Sequence, residues 1–184
     1  MKTTKSQNEQ DQNKQESDRR EGERPREPLW RNTQSLPNRH RPASGVLLYP
    51  NQPTIVLLNV CTHQRNPWLA QRVVHEALKQ VWGEARAWLV GRYVLMPDHL
   101  HLFCAPGGQP VPLDRWVSYW KRLFSLQADN PAWRWQVRHW DTRLRSSESY
   151  EQKWQYVLQN PVRKGLVARV DDWPYQGELN QLQW

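Results

Sequence analysis

The chain has 184 residues, enough for one domain and a tail, and carries 26 Lys and Arg against 18 Asp and Glu. Its net charge of +8 and pI near 9.8 point to a polyanionic partner, nucleic acid before a membrane surface, because no basic amphipathic helix stands apart from the fold. No apolar run approaches the ~18 residues of a transmembrane helix, so a membrane partner is not expected.

Residues 1–30 hold seven basic and seven acidic side chains and, up to Arg26, no aromatic or aliphatic residue beyond Met1. Such a stretch buries too little apolar surface to offset its chain entropy and is expected to be a disordered polar tail. It has neither the apolar run of a signal peptide nor the acid-poor composition of a transit peptide. The +8 therefore falls on residues 31–184, with nineteen basic and eleven acidic residues. Residues 31–52, rich in Pro, Arg and Asn, read as an extended arm. Arg39, His40 and Arg41 there suit either a phosphate backbone or a solvated linker. Residues 53–184 form the expected domain.

Thr54 to Thr62 is an apolar, β-rich run that predicts a central strand. Over 68–82, Leu69, Val73, Val74, Ala77, Leu78 and Val81 recur at helical spacing, with Pro67 suited to the first turn and Gly83 to the stop. Residues 85–96 return to strand, Pro97 and Asp98 make a tight turn, and His99 to Cys104 is the partner strand of an antiparallel hairpin. After Gly107 and Gly108, Leu113, Trp116, Val117, Trp120 and Phe124 mark a second amphipathic helix with Arg115, Lys121 and Arg122 on its other face. Trp133 to Trp140 alternates aromatic and polar residues as a fourth strand. A third helix over 147–160 is predicted to stop at Pro161, its N-cap left open between Ser147 and Ser149.

The order strand, helix, strand, strand, helix, strand predicts an α+β, ferredoxin-like antiparallel sheet (βαββαβ) with two helices on one face. The other face is then free to carry a site. Cys61 and Cys104 lie in separate strands without metal-type spacing and are expected to be buried free thiols in a reducing cytoplasm. The twelve tryptophans serve packing and, in a basic chain, offer flat surfaces for stacking unpaired bases.

Chemistry concentrates in Met96-Pro97-Asp98-His99-Leu100-His101-Leu102 and in the third helix. Strand alternation puts His99 and His101 on one face, with Leu100 and Leu102 on the other, which is half of a metal site or a pair of partly exposed histidines. Asp98 is first a turn former and second a partner that orients an imidazole. In the helix the apolar stripe is Tyr150, Trp154, Val157 and Leu158. Tyr156 falls off it, on a polar face with Asn160 one turn along, so Tyr150 reads as core and Tyr156 as projecting.

Those two motifs together, the second continuing as Asn160-Pro161-Val162-Arg163-x-Gly165-Leu166-Val167, resemble the REP-associated tyrosine transposases, relatives of the single-tyrosine insertion-sequence transposases in the HUH nuclease superfamily. The resemblance spans roughly residues 38–178. It implies a ferredoxin-like fold with a C-terminal catalytic helix, Tyr156 as nucleophile, and His99, His101 and Asn160 as ligands of a divalent cation, Mg²⁺ or Mn²⁺. A phenol is a poor nucleophile at neutral pH, so cation assistance at the scissile phosphate suits the chemistry. The implied reaction is cleavage and rejoining of single-stranded DNA through a 5′-phosphotyrosine link, at hairpin-forming repeats, in a cytoplasmic, nucleoid-associated protein. Arg115, Lys121, Arg122, Arg143, Arg145 and Arg163 are the expected DNA backbone contacts. Relatives occur as monomers and as dimers, so a homodimer is open. The alternatives are a non-catalytic single-stranded or hairpin nucleic-acid-binding module on the same fold, and a structural metal protein built on His99 and His101.

Overall fold

The computed structural model describes residues 53–183; the expected tail at 1–30 and arm at 31–52 lie outside the described residues. Elements follow in the order β1 (Val56–Thr62), α1 (Arg72–Glu84), β2 (Trp88–Leu95), β3 (His99–Pro106), α2 (Leu113–Ala128), β4 (Trp135–Arg143), α3 (Ser147–Leu158), α4 (Asn160–Arg163) and β5 (Gln176–Glu178). The strands form one antiparallel sheet in the order β4-β1-β3-β2-β5. The first four strands and α1 and α2 make the ferredoxin-like α+β arrangement.

The sheet separates two cores. Along β1, residues 56, 58, 60 and 62 are buried while 57, 59 and 61 are partly open, the period-2 signature of a strand with two different faces. Val56, Leu58, Val60, Leu100, Leu102 and Cys104 pack against α1 and α2 through Val74, Leu78, Val81, Trp116, Trp120 and Phe124. The opposite face carries a smaller cluster of Ile55, Val94, Met96 and Phe103, covered by Val157 of α3, by Leu144 and by Trp173. Tryptophans bond as well as pack: the Trp116 indole N–H donates to Ala85 O (2.6 Å) and that of Trp88 to Val111 O (2.8 Å), tying α2 and its leading loop to the end of α1 and the start of β2.

Several boundaries move from their sequence-based positions. Trp68 and Leu69 precede α1 instead of starting it, because the Leu69 N–H donates to Pro97 O (2.9 Å) and the Gln71 amide to Trp68 O (2.8 Å), holding this stretch against the hairpin turn. Gly83 does not end α1; it lies in the last turn, and the helix runs on to Glu84. The N-cap of α3 is Ser146, whose Oγ accepts from the Ser149 N–H (3.1 Å). Pro161 does not simply end the helical region: it sits in the first turn of α4, where its missing N–H costs nothing. β5, unforeseen, pairs with β2 beside a turn in which the buried Trp173 indole donates to Leu95 O (2.9 Å). Cys61 and Cys104 are free thiols; Cys104 is buried as expected, whereas Cys61 is only half-buried because it lies on the partly open face of β1. No helix among the described residues is long and apolar enough to cross a membrane.

The tryptophan-rich layer carries the stability. Trp120 is fully buried, whereas Val137 is 93% exposed. Trp120→Ala is expected to lower unfolding free energy by about 3–5 kcal/mol, and Val137→Ser to stay within about 0.5 kcal/mol, read from urea denaturation midpoints.

Candidate active site

The site is built on the turn between β2 and β3. Asp98 is held from three directions. Its carbonyl accepts from the Thr62 N–H (3.0 Å) and the Thr62 hydroxyl (2.9 Å), its Oδ2 pairs with Arg65 Nη1 (3.2 Å), and its Oδ1 lies 2.6 Å from His99 Nδ1. Arg65 reaches it because Gln64 and Arg65 take left-handed φ values of 53° and 58°, a conformation that costs non-glycine residues about 1–2 kcal/mol. Burial raises the Asp98 carboxyl, but the hydrogen bond and charge of His99 and the charge of Arg65 outweigh it and leave the group below its ordinary value. It is therefore a carboxylate at neutral pH, and the His99 Nδ1–H donates to it. That leaves Nε2 of His99 with its lone pair turned outward.

His99 and His101 lie on the face of β3 away from α1 and α2, their rings edge to face at 4.8 Å. Both imidazoles are held neutral. Burial lowers His99 more than the Asp98 partner raises it. Burial, then the charges of His99 and Arg163, push His101 down to about 3.

Helix α3 crosses this same face. Tyr150 packs edge-on against Phe103 (4.9 Å) and Trp154 against the same ring (6.2 Å). Arg92 of β2 stacks over Tyr150 (5.3 Å) and Trp154 (5.6 Å), and pairs with Glu151 (2.7 Å) and Glu178 (3.5 Å). This clamp fixes the first two turns. Tyr156, on the last turn, is 61% exposed, so Tyr150 is the packed tyrosine and Tyr156 the projecting one. Arg163 lies over the Tyr156 ring (4.0 Å), donates to Tyr156 O and donates to Asn160 Oδ1 (2.6 Å). Because the Arg163 charge also reaches His101, α3, α4 and the histidine strand share one electrostatic neighbourhood.

The other expected DNA contacts are scattered. Arg115 and Arg122 are exposed on α2, on the helix-covered side of the sheet, and Arg122 lines a cleft with Arg134 and Trp133. Arg143 is half-buried on β4 and has a partner, and Arg145 is exposed between β4 and α3. Lys121 departs from its expected place on an open basic face: it is buried, its Nζ donates to Gln136 O (2.9 Å) and Val137 O (3.4 Å), and burial lowers its amine to about 8. A long stem lets a residue of the polar face bend into the seam between α2 and β4. Sequence reasoning passed over Arg65, whose position depends on a backbone turn. It also passed over Asn59, the one amide in an apolar strand, which pairs with His101 across β1 and β3.

Comparison with known proteins supports the fold. No family model matches the chain. A REP-associated tyrosine transposase of Escherichia coli is 30% identical over 91 residues, covering 49% of this chain and 54% of that protein. A Haemophilus influenzae protein, provisionally given the same name, is 27% identical over 94 residues, covering 44% of this chain and 53% of that protein. The chain's curated homologues are REP-associated tyrosine transposases. It spans about half the length of each in these matches. The solved structure of a REP-associated tyrosine transposase bound to a REP hairpin superposes with a TM-score of 0.57 over 71% of this chain and 82% of that one, at 22% identity, which supports the fold.

The sequence resemblance implies a divalent cation, and His99 and His101 are the residues here that could hold one. Two neutral imidazoles face the same way, and His99 is oriented by a carboxylate, as metal-binding histidines commonly are. Among the described residues no group of three His, Cys, Asp or Glu side chains gathers to hold a metal. An amide oxygen is one further donor of a suitable type, and Asn160 bonds the same Arg163 that covers the Tyr156 ring.

The pH dependence of the metal-free protein follows from His101. Unfolded, the imidazole titrates near 6.5; folded, near 3. Between these values the unfolded chain binds more protons, so stability is fully present above about pH 6.5 and is lost as pH falls toward 3. In His101→Asn the melting temperature should drop less between pH 6.5 and pH 4 than in wild type, measured by thermal melts without divalent cations.

Proposed function

We propose that this protein is a metal-dependent, single-stranded DNA endonuclease and strand transferase of the transposase type, with Tyr156 as nucleophile and hairpin-forming DNA as substrate. The observation that carries this reading is an exposed tyrosine stacked under Arg163, which also bonds Asn160 and whose charge reaches His101, one of two neutral histidines on the adjacent sheet face. The similarity to REP-associated tyrosine transposases, one of them solved with a REP hairpin, supports the substrate class.

In this mechanism His99, His101 and Asn160 would hold Mg²⁺ or Mn²⁺. The cation supplies positive charge that polarises the scissile phosphate. The protein's own groups do the rest. Asp98, fixed by Thr62 and Arg65, keeps the His99 ring in one tautomer and one orientation. Arg163 sits over the Tyr156 ring, where a guanidinium favours charge developing on the phenol oxygen. Tyr156 Oη forms a bond to phosphorus, the phosphorus–O3′ bond breaks, and the released oxygen takes a proton to leave a 3′-hydroxyl. The product is a 5′-phosphotyrosine. Attack by a 3′-hydroxyl reverses the step and joins strands, so the bond energy is conserved and no nucleotide triphosphate is consumed. The Arg92 clamp and the buried Val157 keep α3 on the sheet while the Tyr156 side chain stays open to solvent.

Two measurements test this. Labelled single-stranded DNA from repeats near the gene, incubated with Mn²⁺, should yield a protein–DNA adduct on a denaturing gel, absent with Tyr156→Phe and with chelator. An adduct that persists in Tyr156→Phe would move the nucleophile elsewhere. Asp98→Asn, which weakens the hold on His99, should raise the Mn²⁺ dissociation constant about 10–100-fold, read by titration calorimetry.

A further inference from the structure

Asn59 is out of character with its strand. It interrupts the run Ile55-Val56-Leu57-Leu58-Asn59-Val60, and asparagine is disfavoured in strands. Its side chain points to the face of β1 that bears the site, in direct register with His101 on β3. Cross-strand partners in an antiparallel pair stand about 4.5–5.5 Å apart, so the carboxamide and the imidazole are neighbours. Its Oδ1 is buried and accepts no hydrogen bond. A buried amide oxygen without a donor costs about 1–3 kcal/mol, and the strand position offers no packing reason to retain it.

We propose that Asn59 Oδ1 is a ligand oxygen for the divalent cation, supplied by the sheet itself beside His99 and His101; this rests on the metal-site reading above. Mg²⁺ and Mn²⁺ favour oxygen donors, and two imidazoles alone make a nitrogen-rich set better suited to zinc or copper. The other amide proposed as a ligand, Asn160, already accepts from Arg163 at 2.6 Å and stands at the start of α4, past the end of α3 that bears Tyr156. A donor on β1 places an oxygen on the same paired strands that carry the two imidazoles.

The test is Mn²⁺ binding to the DNA-free protein, read as loss of the free-ion paramagnetic resonance signal and as the cation-induced rise in melting temperature. Asn59→Leu is expected to weaken binding tenfold or more and to abolish most of that rise, while the melting temperature without cation stays equal or increases, because an unsatisfied buried oxygen has been removed. Asn59→Asp, which restores an oxygen and adds charge, is expected to bind at least as tightly as wild type. If wild type binds Mn²⁺ and Asn59→Leu binds it equally, the assignment of Asn59 is overturned and the histidine site stands. The assignment is likewise overturned if Asn59→Leu lowers the cation-free melting temperature and Asn59→Asp fails to restore binding, since Asn59 is then a structural residue. If wild type itself binds no Mn²⁺, the metal-site reading falls and Asn59 with it.

Discussion

Everything at the site depends on the register of β3 between its two neighbours. Leu100 and Leu102 are fully buried against α1 and α2, and that burial turns His99 and His101 to the other face. A slip of one residue would put two imidazoles into the helix-packed core and two leucines into the site, so the hydrophobic layer itself enforces the placement of the polar pair. Pairing with β1 on one side and β2 on the other removes the freedom an edge strand would have. The Asp98 clamp then fixes the end of the strand at which the first histidine stands.

The two faces of the sheet divide the work. One carries the large tryptophan-rich core, dry and densely packed, and supplies rigidity. The other carries a smaller cluster that seats only part of α3. Arg92 supports that partial seating by stacking on two rings and pairing with two carboxylates, a multi-contact arrangement worth more than an isolated surface ion pair. Tyr156 lies beyond the clamp. The geometry thus seats α3 through the Arg92 clamp on its first turns and the buried Val157 on its last, while Tyr156 projects from that last turn to solvent.

The electrostatics follow the same division. The histidines are neutral because they are buried among cations, and Asp98 is ionised because it is surrounded by donors. Arg163 serves both halves: it covers the Tyr156 ring and lowers His101. The remaining arginines spread over both sides of the sheet, a distribution that suits a long polyanion wrapping the domain better than a single small anion.

The sequence by itself determined the βαββαβ order, the division of β3 into a histidine face and a leucine face, and the separation of Tyr150 from Tyr156, because each follows from local periodicity and the periods of strand and helix are unambiguous there. It also carried the two motifs on which the resemblance to the REP-associated tyrosine transposases rests. Only the tertiary structure decided what depends on contacts distant along the chain. Lys121 was assigned to an open face by helical spacing, but its stem reaches backbone carbonyls in β4 that no local pattern reveals. Leu69 fits the helical period of α1, yet its N–H bonds Pro97 O in a turn some thirty residues away, which holds it out of the helix. The orphaned oxygen of Asn59 and the hold of Arg65 on Asp98 exist only because β1 and β3 lie side by side, a pairing made by the closure of the whole sheet.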